Sequence, residues 1–504
     1  MTTVIIPAAG LATRLRPISN FTSKSMIPVN GKPAISYILD QIKDWATDIR
    51  IVYGKSDDII NYCSKVYSHL PISFYKQEDP LGPLHAIYCG LSHLDSLSSD
   101  DAVVWLGDTI VLDYNHSKAI SECSIVYHEV PDWDRWCLID DKGNLFDKPV
   151  QDPGTDRALV GIYQFNSLSK MSILVDDIIS SNETVKGEYQ ISQLLDCYRN
   201  KEQVKTNEWY DCGDFPSLYE SRARLLNRLS RDDNQLYVDT ISGTITKSGK
   251  RCRSEIEWYK EAPKKLLPFI PTIYEIDNES YTMEFCPGTS LQDIFVYENL
   301  KEDTVNYTLD KILTVYNKCF EQQITRSNKS SIYMWIDKNL ERFNNYDKYA
   351  FIDKQDLLLV KNVVKSESYH DLIKGNNFVN NIHGDLHFGN ILFDYNTGKV
   401  KFIDPRGNWN NTIINNGDLE YDIAKLYQSV YGEYMWIVNQ TKVNSELKNL
   451  IINKLDQYFT KFDTNKIKLL SIIMMASCLP FHSDNLKRQE LIWNTSIKLL
   501  KEHI

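Results

Sequence analysis

Two sets of residues in this 504-residue chain have the types and spacing that phosphate chemistry needs. One opens the chain. The apolar run TVIIP ends in Ala8-Ala9-Gly10, small residues that let backbone N–H groups approach phosphates closely. Arg14 and Lys24 follow as two fixed cations for a triphosphate, and Gly31-Lys32-Pro33 closes the segment. The other set lies far downstream, in His383-Gly384-Asp385-Leu386-His387-Phe388-Gly389-Asn390, with Asp404 in the apolar segment KFIDP. One loop can there aim a carboxylate at an acceptor hydroxyl and an amide oxygen at Mg²⁺. His383 and His387 read as hydrogen-bonded loop anchors rather than proton shuttles.

Two folding units must position these groups. Up to about residue 228, short apolar strands (TVIIP, IRIVYG, DAVVWLGD, SECSIVYHEV, RALVGIYQF) alternate with amphipathic helical segments such as AISYILDQIKDWA. That alternation predicts an α/β fold with a doubly wound, mostly parallel, Rossmann-like sheet. SRDDNQ reads as a polar connector, giving domains at 1–228 and 236–504 with a linker at 229–235. In the second domain DTISGTITKSG, PTIYEI and SYTMEF read as short antiparallel strands around the helix RSEIEWYKEA. The remainder is mainly helical, so an α+β, two-lobed, protein-kinase-like layout is expected.

The segment IPAAGLATRLRPISNFTSKSMIPVNGKP resembles the signature of the sugar-phosphate nucleotidyltransferases, G-x-G-T-R-L-x-P followed by P-K-P-L-x-P-V-x-G-K-P. Ala12 stands at the second glycine, and Ser23 and Ser25 flank Lys24 where that family has prolines. The resemblance covers roughly residues 1–225 and implies further assignments. Ala8, Ala9, Gly10, Arg14 and Gly82 (in LGPLHAI) would meet the nucleotide, with Arg14 and Lys24 catalytic. Asp108 in WLGD and Asp211 in EWYDCGD would hold a catalytic Mg²⁺, with Asp214 competing for the second position. Gly161 in GIY and Glu188 in KGEYQ would touch the sugar.

HGDLHFGN shares the Asp and Asn spacing of the protein-kinase loop H-R-D-L-x-x-x-N. With the later IDP and GDLEYDIAKL, it resembles the aminoglycoside phosphotransferase and choline kinase superfamily over about residues 236–504. The resemblance makes Asp385 catalytic and Asn390 and Asp404 ligands of Mg²⁺. Lys247 would meet the ATP phosphates with Glu255 as its helix partner, and Lys250 is the alternative lysine. Met283–Cys286, including Glu284 and Cys286, would be the linker between lobes, whose backbone would meet the adenine.

A net charge of −11 excludes a general nucleic-acid binder, which needs an excess of Lys and Arg. No signal peptide or run of about 18 apolar residues is visible, so no membrane partner is expected. The ten cysteines form no C-x-x-C pair, which fits free thiols and a cytoplasmic location. The combined expectation is a bifunctional enzyme: a kinase that phosphorylates a sugar or small alcohol with ATP, and a nucleotidyltransferase that couples the product to a second NTP. Two alternatives accompany it. One makes choline or another amino alcohol the substrate of both steps, and the other makes the kinase-like half a regulatory module.

Overall fold

In the computed structural model the described residues are all except 17, 21, 93–100, 117–119, 228–234, 250–251, 298–299, 321–331, 375–377, 380–381, 407, 410–411 and 414–416. They form two compact units: 1–222 with 297–299, and 223–296 with 300–504. The expected linker lies outside the described residues except for Gln235, which opens a strand. The expected boundary at 228 moves to 222, because Ala223 is buried in the core of the second unit.

The first unit is built on a nine-stranded sheet. Its centre is parallel: Thr2–Pro7 pairs with Asp48–Tyr53 and Asp101–Trp105, and Asp48–Tyr53 pairs with Ile72–Lys76. These strands are apolar runs such as VIIP and AVVW because helices cover both faces of a parallel sheet. Helix Ala34–Ile42 supplies one cover, burying Ile35, Ile38, Leu39 and Ile42 on one face.

The sheet is mixed rather than mostly parallel. Arg157–Phe165 runs antiparallel to Asp101–Trp105, Cys123–Glu129 and Cys137–Ile139. The physical reason is connectivity: no α-helix is described between Gly90 and Leu168, and parallel neighbours need a crossover.

The second unit begins with a four-stranded antiparallel sheet in the order Gln235–Asp239, Thr244–Ser248, Ser280–Glu284, Ile273–Ile276. Helix Cys252–Lys260 packs Ile256, Trp258 and Tyr259 into the core. The rest is helical, with the hairpin Ile391–Asp394/Lys399–Phe402 between helices. Helix Thr464–Ala476 is buried along most of its length and ends before Pro480, and no described helix is long and apolar enough to cross a membrane. All ten cysteines are free thiols.

Candidate active sites

In the first unit a cavity of 540 Å³ opens at the C-terminal end of strand Thr2–Pro7. Ala8, Ala9, Gly10, Arg14, Lys24, Gly82, Asp108 and Glu188 all line it. Crevices beyond the carboxyl ends of parallel strands are where open α/β sheets bind ligands. Gln77, Lys148 and Gln190 join them, and neither Gln77 nor Gln190 carries a spacing signal.

Lys24 donates a hydrogen bond to the Asp108 carboxylate, forming an ion pair. Burial pushes the Lys24 ammonium down, but Asp108 and then Asp211 more than reverse it, and the net shift is upward. Asp211 pairs with Thr109 across the two-stranded sheet Thr109–Val111/Trp209–Asp211, which brings it beside Asp108. Its carboxyl is pushed up to about 6, first by burial and then by the Asp108 charge. Two crowded carboxylates, one driven toward protonation by the other, suit a small divalent cation that prefers a couple of carboxylates plus substrate phosphates. Asp214 is committed elsewhere: it accepts from Ser217 N at 3.0 Å and pairs with Arg135 at 2.8 Å.

Two local backbone features shape this cavity. Gly82 has φ +107, and a side chain there would meet the Tyr189 carbonyl oxygen at 2.6 Å. Ala12 is left-handed at φ 47, its carbonyl accepting from Leu15 N at 2.9 Å and Ser19 Oγ at 2.6 Å. Glycine adopts that conformation at lower cost, which accounts for the signature's second glycine.

Gly161 departs from expectation and does not line the cavity. Its φ of +93 lies where the register of Arg157–Phe165 against Cys123–Glu129 shifts, between Leu159 and Tyr163. An added Cβ would strike the Leu106 side chain at 2.8 Å, while Leu106 itself lines the cavity. Gly161 thus sits at a strand irregularity, packed on a residue that lines the cavity.

In the second unit Lys247 is buried, with Nζ 2.8 Å from Glu255 and 3.0 Å from Asp404. Tyr281 donates to the same Glu255 oxygen at 2.6 Å. Burial lowers the Lys247 pKa, but Asp404 and Glu255 carry it upward overall. Asp404 has φ +56 just past strand Lys399–Phe402, and its side chain is 47% exposed. Lys250 lies outside the described residues.

The loop that carries Asp385 is fixed by main-chain bonds. Asp422 accepts from His383 N at 2.7 Å and Gly384 N at 2.8 Å. The His383 Nε2–H donates to the Ile403 carbonyl at 2.9 Å, and burial holds this imidazole at about 4, hence neutral. His387 Nδ1 accepts from Gly389 N at 3.0 Å. Both histidines thus anchor the loop.

Asp385 forms an ion pair with Lys425 at 3.0 Å. Burial raises its pKa, yet Lys425 and His387 hold the carboxyl well below the usual carboxylate range. Asn390 donates its Nδ2 to the Asp385 carbonyl at 2.9 Å, leaving its amide oxygen as a hard donor alongside Asp404. That oxygen set also suits Mg²⁺. The sequence reading missed Lys425, whose partner is 40 positions away. The Glu284 carboxylate is held by Lys401 at 2.8 Å and by Thr272 N at 3.1 Å, so its side chain is not directed to a nucleotide. Cys286 is a half-buried thiol pushed up to about 12 by burial.

Residues 4–131 match the MobA-like NTP transferase domain. The UTP–glucose-1-phosphate uridylyltransferase AglF of Haloferax volcanii is 28% identical, covering 46% of this chain and 98% of that protein. The glucose-1-phosphate thymidylyltransferase of Streptomyces griseus is 28% identical, covering 47% of this chain and 68% of that one. The solved UDP-glucose pyrophosphorylase from Acinetobacter baumanii is similar at a TM-score of 0.38 and 20% identity, covering 46% of this chain and 95% of its own. The first unit carries a nucleotidyltransferase domain, similar to the sugar-phosphate nucleotidyltransferases.

Proposed function

We propose that the chain is a bifunctional enzyme that makes a phosphate monoester in its second unit and couples it to a nucleotide in its first. The observation that carries the nucleotidyl-transfer reading is Lys24 set among Asp108 and Asp211 in the cavity lined by the Ala8–Gly10 turn. A phosphate oxygen of the monoester attacks the α-phosphorus of an NTP, and pyrophosphate leaves. Lys24 and Arg14 stabilise the charge that develops on the phosphates, and the Ala8–Gly10 backbone lets them approach. Asp108 and Asp211 would hold Mg²⁺, which supplies charge neutralisation when bound.

The kinase reading is supported by Lys247 bridging Glu255 and Asp404, with Asp385 and Asn390 on one anchored loop. Asp385, kept ionised, accepts the proton of an acceptor hydroxyl as that oxygen bonds to the γ-phosphorus of ATP and ADP departs. Asn390 and Asp404 would hold Mg²⁺ there. A sugar or a small alcohol is the proposed acceptor, and the nucleotide-activated product suits polysaccharide or glycoconjugate synthesis. The test is a screen of acceptors and NTPs with mass spectrometry of the products. A nucleotide-diphospho product is expected, and formation of neither phosphate ester nor nucleotide adduct would refute the reading.

A further inference from the structure

We propose that Lys425 is a further catalytic residue of the second unit, whose ammonium binds the phosphoryl group as it passes from ATP to the acceptor. This rests on the kinase reading and gives Lys425 a task beyond its pairing with Asp385.

Helix Leu419–Val430 grips the Asp385 loop along one face. Asp422, Lys425 and Ser429 stand at the spacing i, i+3, i+7, which puts all of them on that face. Asp422 accepts from His383 N and Gly384 N, and Ser429 Oγ accepts from Phe388 N at 2.9 Å. Between them Lys425 Nζ reaches the Asp385 carboxylate at 3.0 Å. The two flanking contacts already hold the loop by its main chain, so holding it does not require a cation between them.

That cation has donors to spare. A lysine ammonium carries three N–H groups, and among the described residues Asp385 is the one ion-pair partner of Lys425. The Lys425 side chain is 12% exposed, so bulk water reaches little of it. Asp385 beside it is 40% exposed and open to an entering molecule. Lys247 differs, because Glu255 and Asp404 already share its ammonium.

The transferring group must pass through the same place. The segment carrying Asp404 is pinned to both ends of the Asp385 loop: Ile403 N donates to the Asn390 carbonyl at 3.0 Å, and Arg406 N to the His383 carbonyl at 2.9 Å. Asn390, Asp404 and Asp385 thus border one space. During transfer the acceptor oxygen lies within hydrogen-bond reach of Asp385, about 2.6–3.2 Å, while it bonds to the γ-phosphorus. An ammonium 3.0 Å from that carboxylate is therefore a neighbour of the phosphoryl oxygens. The bond from the γ-phosphorus to the β–γ bridging oxygen breaks, and its electron pair leaves with ADP. The hydroxyl proton passes to Asp385. Lys425 gives up no proton and acts by its charge, facing the negative charge spread over the phosphoryl oxygens.

The test measures ADP formation by the full chain from ATP with glycerol, glucose, choline and ethanolamine as acceptors, and continues with the one turned over fastest. Wild type, Asp385→Asn, Lys425→Met and the double variant form a cycle. A lysine that only steadied Asp385 would cost nothing further when removed from Asp385→Asn. The account expects a further loss of kcat of about 10-fold or more in that background, with the acceptor KM little changed. Lys425→Arg, which keeps the cation, is expected to recover part of the rate. A second readout needs no turnover. Affinity for MgADP with aluminium fluoride, a mimic of the phosphoryl group in transfer, should fall about 10-fold in Lys425→Met while affinity for MgADP alone holds. A double variant no slower than Asp385→Asn, or equal affinity of wild type and Lys425→Met for the mimic, would overturn the catalytic role and leave Lys425 a positioning residue in a working kinase. Absence of phosphoryl transfer to every acceptor would instead overturn the kinase reading and this inference with it.

Discussion

Lys24 in the first unit and Lys247 in the second each sit between two carboxylates, but their partners differ in origin and in freedom. Asp108 and Asp211 are brought together by one small β-pair, and both are proposed metal ligands. Lys24 must therefore balance two neighbouring charges, and burial first, then the Asp108 charge, raises Asp211 to about 6. In the second unit Glu255 is fixed by Tyr281 and belongs to the lysine, while Asp404 stays half open. Asp385 is held ionised by a separate lysine, Lys425. The first site is thus poised for a divalent cation to relieve repulsion, whereas the second has its charges already divided between two lysines.

The largest expected effect separates the sites. Asp108→Ala should cut nucleotidyl transfer by on the order of 10²-fold or more and spare phosphoryl transfer, and Asp385→Ala should do the reverse. Rates of both half-reactions on each purified variant check this. Loss of both activities in one well-folded variant would merge what the comparison keeps apart.

A second expectation concerns pH. Binding of Mg²⁺ by the first unit must release the Asp211 proton, so affinity should fall about 10-fold per pH unit below about 6. Calorimetric titration from pH 5 to 8 measures it, and a flat profile across that range would contradict the crowding of Asp211.

Next in size is a stability effect of the same residue. A carboxyl whose folded pKa lies above its unfolded value binds more protons when folded, so stability falls as pH rises from about 4 to about 6. At pH 7 without metal, Asp211→Asn should therefore raise Tm, by ~2–4 °C for each ~1 kcal/mol relieved. Nucleotidyl transfer should be lost in the same variant. A lowered Tm would place Asp211 among the stabilising groups instead.

The smallest effect is local. Ala12→Gly removes a left-handed alanine, which costs roughly 1–2 kcal/mol, though glycine's greater freedom in the unfolded chain offsets part of that. A small rise in stability by urea unfolding is expected, and a clear loss would argue against the φ of 47.

The parts legible from sequence were those where chemistry is local. A strand running into small residues and then Arg14 and Lys24 is readable because the turn that gathers them is continuous. The same holds for Asp385 and Asn390, which share one loop. Lys425 was invisible because its partnership depends on how helix Leu419–Val430 packs. Gly161 was assigned by its place in a motif, but the register shift that requires it is a property of strand pairing. The mixed sheet was missed for a related reason: strand patterns do not reveal direction, and the lack of crossover helices among the described residues only mattered once the strands were paired. In segment 283–286 the Glu284 side chain is held by Lys401 and Thr272, which bears on its side chain alone and not on the backbone expected to border the adenine.

In the proposed function the second unit makes what the first unit consumes. The most direct test supplies the full chain with a free acceptor, ATP, an NTP and Mg²⁺, and follows the nucleotide-diphospho product by mass spectrometry. The account predicts that product from the wild type and from neither Asp385→Ala nor Asp108→Ala. It further predicts that adding the synthesised phosphate monoester rescues Asp385→Ala but not Asp108→Ala. Accumulation of a phosphate ester that the first unit never couples to any NTP would contradict it.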